Sequence, residues 1–397
     1  MSFSRVLLTA TLAAAPFVGE AAEPIKIGDL NSYTTLAAFT LPYKNGWQMG
    51  LDEINAAGGV LGRPLEVISR DDRGNPGDAK TVASELVSKE GAVVLFGTIL
   101  SNVGLAVADF AKQNKTVFIA SEPLTDTIAW SNGNRYTFRL RPGTYVQAAM
   151  LVEEAAKLKA KRWATIAPNY EYGKSAVDAF KKLLSEKRPD VEWVAEQWPA
   201  LGKIEAGPTV QALAQARPDA IYNVTFGADL TQFVREGTLR GLFEGRDVVS
   251  VLGGEPEWID SLKGEAPKGW IVTGYPWYDI ATAEHTTFKD AYMAKFKDYP
   301  RLGSVVGYAS IKAVAAAIAK AGSTDSEALV KALRGLEMKT PLGPIVFRAS
   351  DQQSTMGAYV GRLTVKDGMP RMVDWRFGEG AKYLPSDADA ARMRPAE

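Results

Sequence analysis

The sequence predicts an α/β protein of two similar lobes, and three observations carry the prediction. Short apolar runs rich in branched side chains alternate with amphipathic helical segments from Ile25 to Ala120, the pattern of a parallel sheet covered on both faces. The same alternation restarts at Trp163 and continues to Thr273. Between the two runs lies Arg141-Pro142-Gly143, a break of the kind that separates domains.

In the first run, Ile25 to Leu30 reads as a strand. An irregular segment from Asn31 to Pro42 leads to a helix with Trp47, Leu51 and Ile54 on one face, and Gly58-Gly59 ends it. Leu65 to Ser69 is the next strand, followed by the acidic loop Asp71-Asp72 and a helix over Asp78 to Lys89 that buries Val82 and Leu86. Ala92 to Thr127 then holds one strand–helix–strand unit. Its strands are Ala92 to Phe96 and Val117 to Ala120, and its helix carries Val103, Val107 and Phe110 on one stripe. A right-handed crossover brings the two loops that follow these strands to one edge of the sheet, where open α/β folds bind ligands. Ser101, at that edge and directly before the helix, has two readings. It caps its own helix, or its hydroxyl and the first free helical N–H groups hold a small anion such as a carboxylate.

The second run repeats the scheme. Strands are expected at Trp163 to Ala167, Glu192 to Trp198, Ala220 to Thr225, Val248 to Leu252 and Ile271 to Thr273, with helices at Lys174 to Lys187, Gly207 to Ala216 and Leu230 to Arg240. Loops fall at Asn169 to Gly173 and Phe226 to Asp229. After Tyr275-Pro276 come helices around Ala291 to Phe296, Ser304 to Lys320 and Glu327 to Leu336. They have no sheet of their own and are expected to return to the first lobe. Ile345 to Val373 reads as strands turning at Asp367-Gly368, expected in the second lobe. The lobes are then 23–142 with 277–342, and 143–276 with 343–397, and Thr340-Pro341-Leu342-Gly343-Pro344 is the third crossing. Several short crossings make a hinge.

Composition narrows the function. Lys plus Arg and Asp plus Glu number 46 each, so no net charge draws the chain to nucleic acid or anionic lipid. With no cysteine and one histidine, His285, zinc sites of the Cys/His kind, thiol catalysis and disulfides are excluded. No GxGxxG follows Leu30, no Walker loop occurs, and the pairs Asp71-Asp72 and Asp52-Glu53 read as loop and solvated helix surface, so no enzyme and no cofactor is expected. Met1 to Arg5, the apolar run Val6 to Val18 and the small residues around Ala21 and Ala22 read as a secretory signal over residues 1–22. No cysteine follows it to take a lipid anchor. No later stretch offers the roughly 20 apolar residues needed to span a bilayer, the best being Ala313 to Ala319. An exported, free-standing monomer is expected, rather than a tethered sensing module.

IKIGDL at the start of the first strand, GWQMGLDEINAAGGVLGRPLEVISRDD, NPGDAKTVASELV, the Ser101 loop, YTFR at Tyr136 to Arg139 and YGKSAVDAF from Tyr172 together resemble periplasmic binding proteins of the leucine/isoleucine/valine type. DEINAAGGVLGRPLEV is the most specific piece. The resemblance implies two Rossmann-like lobes with parallel sheets, three hinge crossings, and a ligand closed between the lobes for delivery to the permease of an ABC importer in the periplasm. By the same resemblance Ser101 binds the ligand carboxylate, Tyr172 reaches the ligand from the second lobe, and Glu255 pairs with an α-ammonium. Phe39 and Phe226 flank the ligand side chain.

The sequence departs from the family in the loop Ser121-Glu122-Pro123-Leu124-Thr125. Leu124 stands at the family threonine, with Thr125 one residue on. Gly74 and Leu100 stand where some relatives carry a disulfide. The cleft edges are rich in aromatic residues: Phe39, Trp258, Tyr275, Trp277 and Tyr278. Two ligand classes therefore stay open, an apolar α-amino acid such as a branched-chain one, and a benzoate- or cinnamate-like aromatic carboxylate.

Overall fold

The computed structural model describes residues 22–395, so the secretory-signal reading falls, apart from Ala22, outside the described residues. The chain begins with β1 (Ile25–Asn31), α1 (Ala37–Ala56), β2 (Leu65–Asp71), α2 (Pro76–Ser88), β3 (Val94–Gly97), α3 (Ser101–Asn114), β4 (Val117–Ala120) and β5 (Thr137–Arg139). Their five strands form one parallel sheet in the order β2-β1-β3-β4-β5. β3 and β4 are buried at every residue, as central strands covered on both faces must be. α1 starts ahead of the sequence reading and takes in Pro42. A proline here forfeits one backbone hydrogen bond, and the helix persists because its buried face packs closely against a partner described below. α2 is capped by Asn75, whose side chain accepts from the N–H groups of Gly77 and Asp78 at 2.8 and 3.1 Å.

The chain continues through α4 (Thr144–Ala155), β6 (Arg162–Ile166), α5 (Glu171–Lys187), β7 (Glu192–Gln197), α6 (Ala206–Ala216), β8 (Ala220–Asn223), α7 (Gly227–Leu239), β9 (Asp247–Gly254), the single turn α8 (Pro256–Ile259) and β10 (Ile271–Gly274). α4 is buried on most of its circumference, from Val146 to Met150, Leu151 and Ala155, so no clean 3.6-residue stripe marks it in the sequence. Then follow α9 (Ala283–Phe296), α10 (Leu302–Ala321), α11 (Ser326–Leu333), the strands β11 (Glu337–Thr340), β12 (Gly343–Val346), β13 (Ala358–Lys366) and β14 (Met369–Gly378), and α12 (Asp387–Met393).

The second sheet runs β14-β13-β10-β9-β8-β6-β7. β13 and β14 are antiparallel, joined at the expected turn Asp367-Gly368, and they add a mixed edge to an otherwise parallel sheet. The helices after Tyr275 do return to the first lobe. α10 lies so close along α1 that a Cβ on Gly46 would sit 2.0 Å from the Ser304 carbonyl oxygen, and one on Gly307 2.0 Å from that of Tyr43. α10 is long and apolar enough to cross a membrane by composition, contrary to the sequence expectation, but it is mostly buried in the protein core against α1.

Residues 340–344 form the turn of the β11–β12 hairpin and not the third crossing. Past the hairpin, Gln353 bridges Arg139 in parallel at the edge of the first sheet, and the chain reaches β13 only after Thr355-Met356-Gly357. The first and third crossings thus run side by side. The Arg139 N–H donates to the Gln352 carbonyl at 3.0 Å, and the Gln353 side-chain amide donates to the Arg141 carbonyl at 3.1 Å.

Candidate ligand-binding site

A small cavity lies between the lobes at the C-terminal ends of both sheets. From the first lobe its wall takes Phe39 of α1, Leu100 and Ser101 of the loop and helix after β3, and Glu122 and Leu124 of the loop after β4. From the second lobe come Tyr170 and Tyr172 at the start of α5, Phe226 before α7, Leu252 of β9 and Trp258 of α8. Arg141, on the first crossing, completes it.

Ser101 is the first residue of α3, and the helix cap is Leu100, which supplies no side-chain hydrogen bond. The capping role is therefore not the one Ser101 plays. Its Oγ accepts from the Thr125 N–H at 3.2 Å, which leaves its own hydrogen to donate into the cavity beside the free N–H groups of α3. The Tyr172 hydroxyl is buried and has no hydrogen-bond partner among the described residues. Gly173 follows it because a Cβ there would lie 2.0 Å from the Pro168 carbonyl oxygen, and that close approach turns the chain into α5.

The aromatic residues form a box. Phe39 stacks on Trp258 across the cleft, with ring centroids 5.9 Å apart and planes 12° from parallel. Phe226 packs against Trp258 at 5.3 Å and edge-on to Tyr172 at 5.8 Å. Of the other cleft aromatics, Tyr275 turns its hydroxyl to His285 Nε2 at 2.6 Å, Trp277 stacks on Tyr299 at 4.8 Å, and Tyr278 bonds the Met372 backbone; none of the three is on this wall.

Sequence reasoning did not place the charge centre of the site. Arg141 is buried, donates to Glu122 Oε2 at 2.7 Å and is paired with Glu255 Oε1, so three distant segments meet in one ionic cluster. Glu255 spends its other oxygen on the Trp258 indole N–H at 3.0 Å and sits behind the wall rather than on it. Burial pushes Glu122 and Glu255 each up to about 7 even though Arg141 draws both down. Glu257, raised to about 8 by burial and then by the Glu255 charge, accepts from the Gly303 N–H at 2.7 Å. One guanidinium thus faces more than one buried carboxylate. A polar residue in a loop after a strand does not reveal its burial, which is why Glu122 and Arg141 escape a reading by pattern.

Thr125 is close to the site but turned away from it. Its hydroxyl donates to Glu171 of α5 at 2.6 Å, beside Thr127 at 2.8 Å. Arg139 braces this loop, donating to the carbonyls of Leu124 and Thr125 at 3.1 and 2.6 Å. Gly74 and Leu100 are neighbours, with a Cβ on Gly74 falling 3.2 Å from Leu100 Cδ1.

The profile of the periplasmic binding proteins matches residues 24–369. The chain is 27% identical over 365 residues to Leu/Ile/Val-binding protein homolog 3 of Brucella melitensis, covering 89% of this chain and 94% of that one. It is 26% identical over 349 residues to the leucine-, isoleucine-, valine-, threonine- and alanine-binding protein of Pseudomonas aeruginosa, covering 87% and 91%. Among solved structures, a solute-binding protein of an ABC transporter from Rhodopseudomonas palustris BisB5, in complex with 3,4-dihydroxybenzoic acid, superposes with a TM-score of 0.80 at 24% identity, covering 90% and 98%. With its two α/β lobes and interlobe cavity, the chain belongs to the periplasmic binding proteins of the leucine/isoleucine/valine-binding type, the solute receptors of ABC transporters.

Proposed function

We propose that the protein captures an α-amino acid with an apolar side chain in the periplasm, closes its lobes over it and delivers it to the membrane permease of an ABC importer. The observation that carries this reading is Ser101, whose hydroxyl hydrogen and helix N-terminus face a cavity lined mostly by aromatic and aliphatic side chains. A ligand carboxylate gains charge-assisted hydrogen bonds there, and the helix dipole favours it. The box of Phe39, Phe226 and Trp258 suits an apolar side chain. Phe39 and Ser101 come from one lobe and Tyr172, Phe226 and Trp258 from the other, so a bound ligand favours the closed state. The closing lobes are proposed as 23–142 with 277–353, and 143–276 with 357–395.

An aromatic carboxylate is the second reading. The Phe39–Trp258 stack and the Arg141 guanidinium on the wall favour it, and the Rhodopseudomonas palustris relative is in complex with such an acid. The charge balance weighs against it. Arg141 is already engaged by two carboxylates, and a further anion in a buried site costs energy that an ammonium offsets. Isothermal titration of the purified protein with L-leucine, L-phenylalanine, benzoate and cinnamate tests the reading. The amino acids are expected to bind more tightly, and tighter binding of benzoate or cinnamate would overturn it.

A further inference from the structure

We propose that Glu122 is the residue that receives the ligand's ammonium group and so sets the selectivity of the site for amino acids over plain carboxylic acids. The inference rests on the amino-acid reading above. A buried ammonium needs an acceptor on the cavity wall, and Glu122 is the one carboxylate there among the described residues. It is 1% exposed, its Oε2 holds Arg141, and its Oε1 has no hydrogen-bond partner among the described residues. Glu255, the acid that the family resemblance puts in this role, has both oxygens engaged, one by Arg141 and one by Trp258, and lies off the wall.

The topology supports the pairing. Ser101 follows β3 and Glu122 follows β4, and these strands are adjacent and parallel. Ser101 Oγ is bonded to the N–H of Thr125, three residues past Glu122, and both side chains line the same cavity. Arg141 then has a positioning role. By holding Oε2 it fixes the carboxylate plane and leaves Oε1 aimed at the ligand.

The test is a specificity ratio. Titration calorimetry on the full protein compares L-leucine with 4-methylpentanoate, and L-phenylalanine with 3-phenylpropanoate, which lack only the amino group. The wild type is expected to prefer the amino acid in each pair. Glu122→Gln should lower that preference by about thirtyfold or more, the loss of one charged hydrogen bond, while leaving the affinity for the deamino acid unchanged or higher. Glu122→Asp keeps the charge for Arg141 and guards against misfolding of the Gln variant; its shorter side chain should lower the preference by about tenfold. Glu255→Gln should weaken both members of a pair alike and keep their ratio. A ratio unchanged in folded Glu122→Asp or Glu122→Gln, or one lost in Glu255→Gln alone, overturns this assignment and leaves the amino-acid reading standing. Wild-type preference for the deamino acids, or no binding of any of the four, removes that reading and the assignment with it.

Discussion

At the scale of single residues the site rests on a few donors and acceptors whose partners are counted. Ser101 accepts from Thr125 and keeps its hydrogen for a ligand, so Ser101→Ala should weaken binding by about 1 to 3 kcal/mol, measured by calorimetry; unchanged affinity contradicts the assignment. The buried carboxylates make a second prediction, on stability. Burial raises Asp29, Glu122 and Glu255 to about 7 and Glu257 to about 8 in the folded protein, from ordinary values near 4. The folded state therefore holds more protons than the unfolded one between those limits. Stability from these groups is full below about pH 4 and falls as pH rises toward 8. Exposed Asp190 and Asp219 are lowered and act the opposite way below that window, and His285, lowered to about 4 by burial, acts the opposite way within it up to its ordinary value near 6.5, one group against four. Thermal unfolding of the ligand-free protein should show a lower melting temperature at pH 8 than at pH 5, and Glu257→Gln should reduce the difference; a melting temperature that rises over this range contradicts the charge balance. Ser101 was placed at the sheet edge by its strand–helix boundary, whereas Tyr172 and Phe39 were named only by the family resemblance; all three line the cavity. The cluster of Glu122, Arg141 and Glu255 was not legible, since it depends on three loops meeting and no local pattern encodes a meeting.

At the scale of elements the closed state is clasped where α5 begins. The sequence suggests a loop over Asn169 to Gly173, but the helix already starts at Glu171, whose carboxylate accepts from Thr125 and Thr127 of the opposite lobe. Ser175 on the same helix accepts from the Asp126 N–H at 3.1 Å, and Asp126 reaches the start of α4 through Thr144 and Tyr145. These bonds form only when the lobes meet, so Glu171→Ala should raise the ligand dissociation rate by about two- to tenfold and leave association nearly unchanged. Stopped-flow tryptophan fluorescence reads both rates, with Trp258 in the cavity wall; an unaltered dissociation rate would rule out the clasp. Strand–helix alternation was readable from periodicity throughout, because buried parallel strands and amphipathic helices differ in period. The β11–β12 hairpin was hidden by Pro341 and Gly343, which mark a turn equally well in a hairpin and in a linker.

At the scale of the whole molecule the two-lobe plan was legible because the alternation repeats, and the return of α9 and α10 to the first lobe follows from helices that lack a sheet to cover. The position of the third crossing was not, because the Arg139–Gln353 bridge that leads into it joins residues far apart in sequence. The closed state has contacts that span the cleft well beyond the cavity, including Glu257 to the Gly303 N–H and Tyr299 to Asp260 at 2.6 Å. Three crossings flank the cleft, and none is buttressed by a continuous sheet between the lobes. On the proposed function, capture works by rotation of two rigid lobes about these crossings, with the ligand as the group that both lobes share. Small-angle X-ray scattering of the protein with and without a saturating amino acid, L-leucine or L-phenylalanine, measures that rotation most directly. A smaller radius of gyration in the loaded protein is the expected result, and identical scattering profiles with binding proven by calorimetry would contradict closure of the lobes over a ligand.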